Sequence, residues 1–442
     1  MKVSVGVMAR RILVLMWVML GGWVPWAGAQ PETGMWVTLE SVDGRALYVE
    51  LLKFGDREVQ VRTANKEVLR IKYELLSQTS QAVLEQLDGS EAWLARRFPM
   101  AWKVRSDQAM REDRIATLGG EVKSEEAVLN ALRWLKKTQS VDGSWGPKKV
   151  AYTGLALQCF SGRGFSPLSE EFGECYTAGL TYLANISMKN KGRMADNLAD
   201  KHWPYEHAIA TEAVVEGFMI CKLLGINFPN LEQAAQNGVQ WIIDNQHKSG
   251  GWDYSYDETG ARGGDLSISS WHINALHAAR VAKIEARNMK VCMAKARQYV
   301  AARQASNGGF GYQGKTPVGS SNGHFTLTGA GVRALQICDL AKGVSASSKE
   351  ERKGIRHLVK EAKFDWENGP ANLYELYHNC RALARRGGDA WQACQKQWRD
   401  ELVAHQSEDG SWSKPAKPGI GNSGDAIYNT CLATLILESY YR

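Results

Sequence analysis

The sequence predicts a mainly α-helical protein, an (α/α)6 toroid of six helical hairpins, preceded by a small all-β barrel and a cleavable secretion leader. Three observations carry that prediction. A Gln-x-x-x-Gly-x-(Trp/Phe) motif occurs four times between residues 139 and 412. Each copy separates an amphipathic helical stretch from a more apolar one. Residues 35–72, in contrast, alternate in the two-residue rhythm of strands.

With 442 residues and 44% hydrophobic content, the chain can bury a large core and hold more than one domain. Lys2, Arg10 and Arg11 form a basic start, Ile12 to Trp26 is apolar, and Ala27-Gly28-Ala29 supplies a small-x-small cleavage site before Gln30. The apolar run is about 15 residues and holds Gly21, Gly22 and Pro25, which is short for a membrane span. Residues 1–29 are therefore expected to be removed, leaving an exported protein, periplasmic or secreted, with no stable membrane span. An uncleaved anchor is the alternative. The formal net charge of +7 includes three positive charges in the leader. What remains is spread over both domains with no basic stripe interleaved with aromatics, so nucleic acid is not an expected partner. The eight cysteines, Cys159 to Cys431, lie in the helical region, mostly in apolar runs such as ALQCF and NTCLATL. They read as small buried hydrophobes, with disulfides open to an exported chain.

The β module is expected over residues 33–88. MWVTLE runs to a turn at Asp43-Gly44, ALYVELLKF to Gly55-Asp56 and REVQVRT to Ala64-Asn65-Lys66, after which EVLRIKY follows. Ser80 is the expected N-cap of a closing helix, QAVLEQL. The pattern resembles the small SH3-like barrel found near the N-terminus of many exported bacterial proteins, which implies binding, docking or packing on a neighbour. Residues 89–123 read as a charged, partly helical connector. The toroid is expected over residues 124–442.

The four motif copies are Gln139/Gly143/Trp145, Gln246/Gly250/Trp252, Gln304/Gly308/Phe310 and Gln406/Gly410/Trp412. The Gln spacings give repeats of 51 to 58 residues, with degenerate copies near residues 192 and 355. In each hairpin the amphipathic helix is the outer one, and the more apolar helix, buried on two sides, belongs to the inner ring. The Gly permits a tight reversal, the Gln amide bonds exposed backbone at a helix end, and the aromatic ring covers it. These turns resemble the QW motifs of squalene and oxidosqualene cyclases, and GGFGY also resembles protein prenyltransferase β-subunits. A closer likeness, carried by WPYEHAIATEAVVEGF, GGDLSISSWHINALHAAR, NGGFGYQG and GGDAWQACQKQWRDEL, is to exported bacterial squalene-cyclase-like toroids of undefined activity.

The chemistry of those relatives does not transfer. Squalene-type cyclases use the central Asp of a DxDD motif. No Asp-Asp pair occurs here, and Asp253-Tyr-Ser-Tyr-Asp257 is the nearest approach. DDxxD, the Asp-x-Cys zinc site of prenyltransferases, the Cys-Gly-Glu-Gln thioester and the Cys-His adjacency of lanthionine cyclases are absent too. Neither a metal nor a cofactor is expected.

What remains is a set of polar residues at or in the inner helices. Tyr205 and His207 open the second, Asp265 opens the third, and Trp271 and His272 lie deeper in it. His324 precedes the fourth, Tyr374, Tyr377 and His378 lie in the fifth, and Asp425 and Tyr428 begin the sixth. Capping is the first reading of Asp265 and Asp425, and a loop position beside Gly323 that of His324. For His207 and His272, hydrogen-bonded packing is the alternative to a pocket role. A catalytic reading pairs His207 with Asp265 as base and acid on a ligand among Tyr205, Tyr374 and Trp271. The function expected first is a non-catalytic envelope protein, with a hydrophobic or glycan ligand in the central cavity or a protein partner on its faces. The alternative is an enzyme acting on an isoprenoid or an acidic polysaccharide, by lyase or hydrolase chemistry. A structural role in envelope assembly is the third reading.

Overall fold

The computed structural model describes residues 36–54, 58–87, 100–313, 327–344, 346–361, 363–413, 415 and 424–442. The leader and His324 lie outside the described residues. The chain divides into two compact units, one ending at Arg97 and one beginning at Phe98.

The first unit is a four-stranded antiparallel meander, β1 (Trp36–Glu40), β2 (Ala46–Phe54), β3 (Glu58–Thr63) and β4 (Val68–Lys72), paired in chain order. Alternation sets the buried face, with Leu39, Val49, Leu51, Val59 and Val61 inside. An irregularity between Leu51 and Lys53 shifts the register, so that Phe54 joins that core. After β4 the chain turns back beside β1, where Val42 donates to Leu75 O and Ser77 to Glu40 O. Helix α1 (Gln78–Leu87) follows. Its cap is Ser77, whose Oγ accepts from the Ser80 N–H at 3.2 Å. Ser80 is not the cap. It is buried one turn inside, where its hydroxyl accepts from the Glu40 N–H.

The second unit is helical. It starts with α2 (Met100–Ser106) and α3 (Gln108–Thr117), the latter capped by Asp107. Trp102 and Ile115 sit in the core of this unit, and Arg111 Nε meets Glu125 at 2.8 Å. From residue 100, the segment expected as a connector is thus part of the helical body. Six outer helices follow, each leading into an inner one. The pairs are α4 (Val122–Thr138) and α5 (Lys149–Gly162), α6 (Gly173–Lys189) and α7 (Trp203–Leu224), α8 (Leu231–Asp244) and α9 (Leu266–Val281). Next come α10 (Met289–Ala301) and α11 (Thr328–Ala341), then α12 (Lys349–Glu361) and α13 (Leu373–Arg386). After the short α14 (Gly388–Gln392), α15 (Gln395–Ala404) pairs with α16 (Ala426–Leu437).

Burial separates the two classes. Every residue of α5 from Val150 to Gly162 is buried, whereas α12 buries only Glu351, Gly354, Ile355 and Leu358, one stripe at helical spacing. The inner helices are neighbours in a closed cycle: α5 packs on α7, α7 on α9, α9 on α11, α11 on α13, α13 on α16, and α16 on α5.

The motif turns explain the regularity. Each Gln side-chain amide donates to the carbonyl of its own turn glycine and to a carbonyl of the next outer helix. Gln139 reaches Gly143 and Cys175, Gln246 reaches Gly250 and Cys292, and Gln304 reaches Gly308 and Glu350. Gln406 reaches Gly410 and Ala127 at 2.9 and 2.8 Å, so the last turn is tied to the first helix, α4. The Trp145, Trp252 and Trp412 indoles each donate to the carbonyl ten residues back, at 2.7–2.8 Å. The aromatic residue's own N–H, including that of Phe310, donates to a Ser or Thr hydroxyl of the inner helix. The four glycines have φ between +86° and +98°. A Cβ there would lie 2.4–2.5 Å from a carbonyl oxygen of the next outer helix, so only glycine fits. Of the two degenerate turns, Gly192 (φ +90°) does lie at the second, abutting Asn237 of α8. The fifth is not near 355, which is inside α12. It lies at 364–369, where Gln397 donates to Phe364 O and Glu401 accepts from the Trp366 N–H.

All eight cysteines are buried and free. Among the described residues no helix is long and apolar enough to cross a membrane.

Candidate functional site

Most of the expected site residues prove to be structurally occupied. His207 is fully buried, its Nδ1 accepting from the Met194 N–H at 3.0 Å and its Nε2 meeting Gly238 O at 3.2 Å. Burial holds its pKa down at about 3, so it is a neutral packing group. Asp265 caps α9 through the Ile268 N–H and meets Arg262 at 3.3 Å. Burial lifts its pKa to about 6 against those contacts and that of Tyr312. No contact between His207 and Asp265 is found among the described residues, and each group is engaged by other partners. His272 donates to Ile268 O and accepts from Tyr256 Oη at 2.7 Å, stacked on Trp252. Asp425 caps α16 through the Ile427 and Tyr428 N–H groups.

The tyrosines do gather. Tyr374 Oη meets Ser267 Oγ at 2.6 Å, Tyr428 packs on Tyr152, and Tyr205 lies against Tyr254. Burial pushes the Tyr205 hydroxyl well above its usual range, and the Asp265 charge adds to the rise. Trp271 stacks on Tyr377, with ring centroids 5.3 Å apart, and His378 packs edge-on against both and against Tyr374.

A cavity of about 530 Å³ lies elsewhere, lined by residues from the bodies and C-terminal halves of the inner helices. That is ample for a small-molecule or oligomer-end ligand. Its lining carries six arginines (Arg105, Arg114, Arg333, Arg381, Arg385 and Arg442) against two glutamates, Glu212 and Glu216. The two carboxylates are four residues apart on α7, and so share one face.

Their environments differ. Glu216 Oε2 accepts from Ser161 Oγ at 2.7 Å and from Arg442 at 3.0 Å, while Oε1 lies 3.6 Å from Arg105. Burial works against its charge, but Arg442 and Arg105 outweigh it and hold the pKa at about 2. Glu212 has one weaker contact, Arg381 at 3.5 Å, and its Oε2 has no hydrogen-bond partner. Burial pushes its pKa up, Arg381 opposing only in part and Glu216 adding to the rise. One carboxyl is a fixed anion and the other is biased toward its neutral form.

Arg381 also donates to Tyr377 Oη. Arg333 has no ion pair or hydrogen bond among the described residues. It is half-buried and lines the cavity. Burial, then Arg381 and Arg385, pull its pKa down to about 9. His277 lines the same space. Its Nδ1 is unpaired, and burial followed by the charges of Arg333 and Arg381 holds its pKa at about 3.

Sequence reasoning missed these groups, although a signal existed. Glu212, Glu216, His277, Arg333 and Arg381 are charged or titratable residues inside the otherwise apolar inner stretches (EAVVEG, INALHAAR, GVRALQI and NCRALARR). Such residues are rare in helices buried on two sides unless they face a partner or a ligand. No cluster of His, Cys, Asp and Glu among the described residues is arranged to hold a metal ion.

No protein-family model matches this chain, and no curated protein is similar to it. Among solved structures it is similar to a protein from Actinoplanes, at 14% identity and a TM-score of 0.43, covering 72% of this chain and 98% of that one. It is also similar to a glycosidase, solved as wild type and as a variant, at 11% and 10% identity. Both have a TM-score of 0.44 and cover 72% of this chain and 97% of that one. Likeness at this level leaves the chemistry to be read from the residues.

Proposed function

We propose that the helical unit is an (α/α)6 toroid of the squalene-cyclase-like kind whose central cavity binds an anionic ligand. The supporting observation is Arg333, a cavity-facing guanidinium without a carboxylate partner, set beside Arg381 and Arg385. A site with this surplus of arginine is strained by self-repulsion when empty, and a carboxylate or phosphate relieves it. An isoprenoid would leave the same guanidiniums desolvated and unpaired, which disfavours the apolar-ligand reading. The closed cycle of inner helices and the Gln406–Ala127 tie favour the toroid. Export behind the leader, an SH3-like docking role for the β unit and an envelope partner belong to the same reading.

Calorimetric titration of the mature chain tests it, using oligogalacturonate, inorganic phosphate and neutral cello-oligosaccharide. An anionic probe is expected to bind, and Arg333→Met to weaken it by at least about tenfold, the value of one charge-assisted contact. Equal binding of the neutral sugar, or an unchanged affinity in the variant, would defeat the proposal.

A further inference from the structure

The six arginines of the cavity fall into two sets. Arg105 and Arg442 lie 3.6 and 3.0 Å from Glu216, and Arg381 lies 3.5 Å from Glu212. Arg114, Arg333 and Arg385 line the same space, and their side chains make no ion pair or hydrogen bond among the described residues. These three differ in exposure. Arg333 is half-buried in the body of α11, whereas Arg114 of α3 and Arg385 of α13 are exposed and so mark the open side. The two exposed ones stand in the last turns of their helices, where the helix dipole favours a cation. The dipole accounts for the residue type there, but it brings no counter-ion. Arg386 shares the last turn of α13 and is exposed too, yet it does not line the cavity. The wall also presents apolar atoms, from half-buried Met219 and Ala384 and from exposed Val281.

We infer that the cavity takes the end of an acidic oligosaccharide, with one anionic unit on Arg333 inside and the next on Arg114 and Arg385 at the opening. This rests on the anionic-ligand reading above and adds to it the number of charges and the kind of backbone that carries them. A single carboxylate offers two oxygens at one point and is taken up by one or two guanidiniums in bidentate geometry. Three spare guanidiniums at two levels of exposure exceed what it can satisfy, so the fitting ligand repeats its charge along a chain. The apolar wall selects the backbone. A pyranose ring has C–H faces to lay on Met219, Val281 and Ala384, and a polyphosphate has none. The two positions act differently. Half-buried Arg333 is screened less by salt and sets the affinity for one unit. Contacts to the exposed pair are of the surface kind, worth about two- to fivefold each and weakened by salt, so they set the preference for length. Arg114 stands on α3, ahead of the six hairpins, which makes the segment before the ring part of the site.

The test is calorimetric titration of the mature chain with galacturonate, its trimer and tripolyphosphate, at low and at high salt. The trimer is expected to bind at least about fivefold tighter than the monomer at low salt, with the gain shrinking as salt rises. The double variant Arg114→Met/Arg385→Met should remove that gain. Arg386→Met deletes an exposed charge one residue away and should keep it. All three side chains are exposed, so folding is little at risk, and thermal melting of each variant checks it. Equal affinity for monomer and trimer overturns the two-position site and leaves the anionic-ligand reading standing. A gain lost equally in Arg386→Met overturns it in favour of the general field of the surface. Tripolyphosphate binding as tightly as the trimer overturns the saccharide class. Binding of none of the three overturns both readings.

Discussion

The starts of the inner helices and their interiors treat polar side chains in opposite ways. At the N-terminal ends, Asp265, Asn372 and Asp425 accept backbone N–H groups of the first turns, and His207 and His272 have both ring nitrogens engaged. Deeper in these helices, Arg333 has no counter-ion among the described residues, and Glu212 and His277, which line one cavity with it, each keep a buried atom without a hydrogen-bond partner. A helix start has free N–H groups that short polar side chains satisfy locally, so such residues there are explained before any ligand is invoked. Charges in the body of a buried helix have no such local use, and need a partner on a neighbouring helix or from outside. Chemistry-bearing residue types are therefore a poor guide unless one asks what backbone they already serve.

That contrast can be broken or sharpened experimentally. The largest effect is expected from Glu216→Ala, which strips Arg105 of its carboxylate, leaves Arg442 only Glu438, and should cost about 3 kcal/mol in urea unfolding. A loss below about 1 kcal/mol would mean that the arginines find other partners and that the wall is not pre-organised. At the other end, Asp265→Ala removes a cap and should cost about 1 kcal/mol. It should leave ligand affinity at the arginine cavity unchanged, and a large drop in that affinity would return the site to the N-terminal mouth.

The change expected to be smallest at neutral pH concerns His378, which is packed among Trp271, Tyr374 and Tyr377 with neither nitrogen hydrogen-bonded. Burial, with help from Arg381 and Arg333, lowers its folded pKa to about 3. The unfolded chain therefore binds a proton that the fold excludes. The stability from this group is complete above the unfolded value near 6.5 and is lost as pH falls from there toward 3. His378→Phe should be within about 1 kcal/mol of the parent at pH 7. It should gain about 2 kcal/mol relative to the parent by pH 5, from paired denaturation curves. Parallel curves would show that His378 protonates in place.

Much of the architecture was legible in the residues. The strands of the β unit, the alternation of outer and inner helices and the four Gln-Gly-aromatic turns follow from local pattern and turn chemistry. Misplacements came where a tertiary contact outranked the local signal. Ser80 looked like a cap, but its hydroxyl serves Glu40 on β1 and Ser77 caps instead. Residue 355 matched the repeat spacing, but the turn there is longer and is held by Gln397 and Glu401 of α15. His207 and Asp265 looked like an acid–base pair because both stand near helix starts, yet Met194, Gly238 and Arg262 occupy them.

By itself, then, the sequence determined the periodic elements and the turns that join them, because a glycine at positive φ, a bridging glutamine and an indole reaching ten residues back are short-range devices written in each repeat. The tertiary structure alone decided which polar groups are spent and which are spare. That outcome depends on what a neighbouring helix, tens of residues away, presents to each side chain. Arg333, His277 and Glu212 sit on three different helices, and only the packing of those helices brings these side chains to the wall of one cavity.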